Sequence, residues 1–111
     1  MRAAEFQKRF DRMSWQQRLG NLASTLARVS TRAASPEHDG LVVELLQEAA
    51  LILEWSAAKT SPGAWLQLAA MQREILAFKS PWPQDALRPL LSLYARNRSD
   101  LLLQLAGFSE G

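Results

Sequence analysis

Hydrophobic residues recur along this chain at helical spacing and not at strand spacing. The series Trp15, Leu19, Leu22, Leu26, Val29 and Ala33 steps by four and three, which lines one face of a helix as a continuous seam. Upstream, Phe6, Phe10 and Met13 form a second stripe. From Met13 to Trp15 is a step of two, so the stripes are out of phase, and Ser14-Trp15-Gln16-Gln17 reads as a capping box. Either the segment breaks near Ser14 or one long helix over about 3–34 uses two faces, and the expectation is the single helix with a kink.

Proline punctuates the rest. Ser35-Pro36 and Ser61-Pro62 each pair a capping side chain with a residue that loses no hydrogen bond in the first helical turn. A third cluster, Pro81-Trp82-Pro83, precedes Pro89. The segments between are predicted helices over about 39–59, 62–79 and 84–106. The second segment is apolar nearly all round, from Leu41 and Val42 to Ile52 and Leu53, as befits a helix with neighbours on more than one side. The third turns Trp65, Leu68, Ala69, Ile75, Leu76 and Phe78 inward. The fourth has a seam of Leu87, Leu90, Leu91, Tyr94, Arg98, Leu101, Leu102 and Leu105, and Gly107 stops it. Pro89 marks either its true first turn or a kink. Short loops make consecutive helices antiparallel. The predicted architecture is all-α: a single domain over 1–111, an up-down-up-down four-helix bundle with a long N-terminal helix.

At 111 residues and 48 % hydrophobic content there is material for one apolar core. The absence of cysteine removes disulfides and thiolate chemistry. The densest apolar run, Leu41 to Trp55, is broken by Glu44, Gln47, Glu48 and Glu54, so it predicts a buried helix and no transmembrane span. The charged start, Met1 to Arg9, predicts no secretory signal, and the chain reads as cytoplasmic. Charge is unevenly spread: a balance of +5 over 1–34, −4 over 35–78 and +1 over 79–111. That asymmetry points to internal complementarity before a nucleic-acid surface, with Glu44 and Glu48 as an acidic edge pairing with arginines of the first segment.

Catalytic sets are hard to assemble from these residues. His38 is the one histidine, and it sits in Ser35-Pro36-Glu37-His38-Asp39-Gly40, which reads as a solvated turn with Asp39 capping the second helix. No Glu-x-x-His pair occurs, and the five glycines are too scattered for a phosphate loop. The expectation is a non-enzyme with no cofactor and no metal. Two features stand out as partner-binding candidates. The stretch Tyr94-Ala95-Arg96-Asn97-Arg98-Ser99-Asp100 puts two arginines inside a leucine-rich helix. Arg98 falls on the seam, either as an internal latch to Glu48, Glu54 or Glu74 or, with Arg96, as an anchor for a partner's carboxylate. Trp82, fixed between two prolines, is either a plug over the bundle end or an exposed hot spot, whereas Trp15 and Trp65 sit on core stripes. A third candidate is the face of Phe6, Phe10 and Met13, ringed by Arg2, Lys8, Arg9 and Arg12, which suits a partner's groove, a homodimer or an anionic membrane.

The four-helix punctuation and the closing helix Leu93-Tyr94-Ala95-Arg96-Asn97-Arg98-Ser99-Asp100-Leu101-Leu102-Leu103-Gln104-Leu105-Ala106-Gly107 resemble small all-helical cyanobacterial proteins of the heterocyst frequency control (PatD) type. The resemblance covers most of the chain and assigns no residue a role. It implies a regulator of cell division or differentiation acting through the tubulin-like protein FtsZ. The function expected is therefore a non-enzymatic protein–protein interaction module. The alternative is a nucleic-acid or anionic-membrane binder using the basic N-terminal segment, nucleic acid being the less favoured because no helix-turn-helix or other reader is evident.

Overall fold

A computed structural model describes residues 14–57 and 62–107, together with Glu5 and Lys8. Among the described residues from Ser14 on, four helices follow one another: α1 (Trp15–Arg32), α2 (Asp39–Ala57), α3 (Pro62–Lys79) and α4 (Arg88–Leu105). Single 3-10 turns, Pro36–His38 and Asp85–Leu87, lead into α2 and α4. Side-chain links fix the directions. Arg18 bonds the Trp55 carbonyl and Thr25 bonds Glu48, so α1 and α2 are antiparallel. Gln72 reaches the Ala50 carbonyl and Lys79 reaches Gln47, so α3 runs back along α2. Ser30 meets Ser92 and Ser99 meets Ala23, so α4 runs antiparallel to α1. The result is the expected all-α, up-down-up-down four-helix bundle, with no strand among the described residues.

The predicted continuous helix over 3–34 is corrected at Ser14. Its backbone is extended (φ −66°, ψ 164°), and its hydroxyl accepts from the Gln17 amide while the Gln17 side chain accepts from the Ser14 amide. That reciprocal capping box starts a new helix at Trp15, where the hydrophobic phase also shifts. The Phe6, Phe10 and Met13 stripe lies outside the described residues. At the other punctuation marks, Pro89 occupies the true first turn of α4, and Gly107 ends the chain's last helix in the left-handed region at φ 81°.

The core is the α1 seam (Leu19, Leu22, Leu26, Val29) meeting Leu46, Ile52 and Leu53 of α2, Leu68, Met71 and Ile75 of α3, and Leu91 and Leu102 of α4. Three residues expected inside are exposed: Trp65 at 45 %, Leu76 at 42 % and Leu90 at 57 %. The reason lies in which helices pack closely. α1 packs on both α2 and α4, and α2 packs on α3, whereas the backbones of α3 and α4 stay farther apart. With one close neighbour, α3 buries only the narrow stripe Leu68, Met71, Ile75. On α4 the small residues Ser92, Ala95 and Ser99 let the backbone approach α1, which turns Leu90 outward. The serines reinforce that approach: Ser30 and Ser92 each donate to the other's carbonyl at 2.7 and 2.8 Å, and Ser99 donates to the Ala23 carbonyl at 2.7 Å.

Charge is also arranged differently from the expected pairing of Glu44 and Glu48 with α1 arginines. Glu48 meets the Thr25 hydroxyl at 3.2 Å, and the buried Arg18 donates to the Trp55 carbonyl in the last turn of α2, where a cation suits the helix dipole. The fourth segment takes part in ion pairs among the described residues: Arg88 to Asp39 and Asp85, and Arg98 to Glu74. No helix among the described residues is long and apolar enough to cross a membrane.

Candidate functional site

Because α4 is drawn onto α1 and α3 onto α2, the remaining seam, between α3 and α4, is closed by long side chains and not by backbone approach. Phe78 and Tyr94 meet with ring centroids 5.2 Å apart, tilted at 44°. One turn along, the Tyr94 hydroxyl donates to Glu74 Oε1 at 2.7 Å. Arg98 lays its guanidinium over the Tyr94 ring at 5.2 Å and brings Nε to 3.8 Å from the same Glu74 oxygen. Of the three partners the sequence offered Arg98, the fold selects Glu74, because Phe78–Tyr94 and Glu74–Arg98 keep the same antiparallel register.

This network divides the seam into two hollows. One, of 370 Å³, is walled by Ala77, Phe78, Pro81, Leu87 and Tyr94. The other, of 210 Å³, is walled by Gln67, Ala70, Met71 and Leu101. Glu74 and Arg98 border both. The outer lip is apolar as well: Leu90, one helical turn from Leu87 and Tyr94, is 57 % exposed. Alanines at 70 and 77 keep the α3 wall low.

The polar groups of the septum are unequally satisfied. Glu74 has a short bond from Tyr94, whereas Arg98 Nε is itself buried and makes no hydrogen bond, its nearest acid standing beyond bonding distance. A guanidinium has five donors in a planar fork, and ordinarily a buried one is bonded. Burial pushes the Tyr94 phenol above its ordinary value, and its bond to Glu74 adds to the rise. At neutral pH that hydroxyl is therefore a hydrogen-bond donor and not a base. The arrangement is an apolar trough with the Arg98 cation in its wall.

The partner-binding candidates from the sequence fare differently. Arg98 stands in this site. Arg96 is exposed but lies two residues away, about 200° round the helix, so the pair does not form one surface. Of the two readings, plug or exposed hot spot, Trp82 has the burial of the plug. It is 7 % exposed, under the Arg88 guanidinium at 5.3 Å, where the α3–α4 loop folds over the bundle end. Phe6, Phe10 and Met13 lie outside the described residues. Phe78 and Tyr94 were legible as seam residues and Glu74 as one of three possible partners of Arg98, but that they share a trough was not.

A hollow of 480 Å³ over α2 mixes basic and acidic side chains, Arg28 and Lys79 with Glu44 and Glu48. His38 stands 3.5 Å from the Arg32 guanidinium, and among the described residues no three metal-ligating side chains converge. No protein-family model, curated protein or solved structure matches the chain.

Proposed function

We propose that this chain is a non-enzymatic protein–protein interaction module whose α3–α4 trough docks a segment of a partner protein. The observation that carries the reading is Arg98: a cation whose side chain is 37 % exposed, bordering two apolar hollows on the α3–α4 seam, with its nearest acid 3.8 Å away. A structural latch would be expected to satisfy its donors internally. A docking site leaves them for the partner, and surrounds them with apolar surface from which water is expelled on binding. The resemblance to PatD-type proteins supports a regulatory role, with an FtsZ-like division protein as the partner of choice. The alternative of a homodimer, a nucleic acid or an anionic membrane on residues 1–13 rests on their sequence alone.

The test is to fill the trough. Ala77 is exposed and lines the larger hollow, so Ala77→Trp blocks it without disturbing the core. Wild-type and A77W chains are used as baits against lysate of the source cell, with circular dichroism confirming equal helicity. A protein bound by the wild type and lost with A77W is the expected outcome. Equal capture by both chains, or none by either, would overturn the trough as the docking surface.

A further inference from the structure

Resting on that reading of the trough, we infer that its occupant presents a carboxylate about one helical turn from a bulky apolar side chain, the carboxylate on Arg98 and the apolar group in the Phe78–Leu87 hollow. The charge is set by what Arg98 lacks. Glu74 is its nearest acid, at 3.8 Å, and the oxygen it faces already accepts from Tyr94 at 2.7 Å. The guanidinium carbon lies over the Tyr94 ring, 5.2 Å from its centroid, and the side chain is 37 % exposed and borders the trough. A planar fork held in one orientation suits a carboxylate, which accepts two parallel N–H bonds.

The single arginine and the nearby Glu74 also set the charge that is tolerated. A monoanionic carboxylate completes the neutralisation of Arg98, whereas a phosphate brings a second charge against Glu74, which is 44 % exposed at the same place. A basic segment would meet the Arg98 cation with like charge.

Geometry sets the spacing. The 370 Å³ hollow takes one large side chain among Phe78, Pro81, Leu87 and Tyr94. Tyr94 and Arg98 are four residues apart on α4, one turn, so the two subsites are separated by about 6 Å. A partner helix bridges them with an Asp or Glu three or four positions from a Trp, Phe or Leu. The exposed Leu90 extends the lip along which such a helix lies.

A phage-displayed library of random peptides about 12 residues long, roughly three helical turns, is panned against the wild-type chain. Sequences bearing an acid three or four residues from an aromatic or leucine should be enriched. The best of them, made with its acid replaced by the amide, should bind wild type about tenfold more weakly, as for one charge-assisted bond. Against Arg98→Gln the acid and amide peptides should bind alike, and Arg98→Lys should fall between. The acid-to-amide comparison on the wild-type chain reads the charge without altering the protein. Peptides lost with A77W but indifferent to the acid-to-amide exchange would overturn this inference and leave the trough standing. Peptides unaffected by A77W, or no enrichment, would overturn both. A free chain that is dimeric and becomes monomeric with R98Q would put a second copy in the trough and overturn a foreign partner.

Discussion

Arg88 at the start of α4 grips Asp39 at the start of α2 with both arms of its fork, Nη1 to Oδ1 at 2.7 Å and Nη2 to Oδ2 at 3.0 Å. Its Nε bonds Asp85 at 2.9 Å, Nη1 also reaches the Ala33 carbonyl at 3.3 Å, and the guanidinium face covers Trp82. One side chain thereby ties the end of α1, the start of α2 and the α3–α4 loop together at one end of the bundle. A lysine, with a point charge and no fork, cannot reproduce that set of contacts.

The hydrogen bonds from Arg88 hold the Asp39 carboxyl below its ordinary value of 3.8, against an opposing effect of burial. A depressed folded-state pKa contributes stability that is complete above the ordinary value and is lost as pH falls through the depressed one. Thermal melts taken from neutral pH down through the carboxylate range should therefore show a steep loss below 3.8 in the wild type. Asp39→Asn and Arg88→Gln should start from lower midpoints and lose less across that window. An unchanged acid limb in Asp39→Asn would place the acid sensitivity in another carboxylate.

Ser99 is 6 % exposed and lies where α4 comes closest to α1. Replacing it with Ala removes one hydrogen bond and leaves the Ala23 carbonyl to its intrahelical donor, a loss of about 1 kcal/mol. Replacing it with Leu forces the two backbones apart, at about 1–3 kcal/mol. Denaturant titrations should rank the variants wild type, then Ala, then Leu. A Leu variant as stable as the Ala variant would show that the approach of the two helices is not set by residue size.

Trp82 is a large apolar side chain filling the bundle end, so Trp82→Ala should cost about 3–5 kcal/mol, the range for deleting a buried aromatic. Chemical unfolding checks it. A cost below about 1 kcal/mol, within the range of surface substitutions, would mean that the loop is not a plug.

Tyr94 is the sole tyrosine, so near-ultraviolet titration of the phenolate reads this group alone. It should ionise above its ordinary value of 10.0, burial contributing first and the bond to Glu74 second. Glu74→Gln should bring the midpoint part of the way down. The sign for stability follows: a raised folded-state pKa gives stability that is present below the ordinary value and lost as pH rises through the raised one. Tyr94→Phe should accordingly melt with a weaker alkaline decline. A wild-type phenol titrating at its ordinary value would remove the buried septum from the trough.

Much of the fold was legible because it rests on local rules. The α1 seam, the apolar α2, the first turn at Pro89 and the stop at Gly107 each follow from spacing or from backbone preference, which a sequence displays directly. The break at Ser14 is legible too, in the capping box and the phase shift, although a single kinked helix satisfies the same stripes. Buried faces were less legible. Trp65, Leu76 and Leu90 satisfied a helical stripe as well as Met71 and Ala95 did, and periodicity does not say how wide a stripe the neighbours will cover.

The sequence by itself determined that the chain is helical, where its helices start and stop, and that their order alternates direction, since turns, caps and short loops act over a few residues. Only the tertiary structure decided which seam stays open. That depends on Ser92 and Ser99 bonding Ser30 and Ala23, 62 and 76 positions away, which draws α4 onto α1 and leaves Arg98 facing α3 with its Nε unbonded. Packing is a competition among distant faces for a limited number of close approaches, and no local pattern records which face wins.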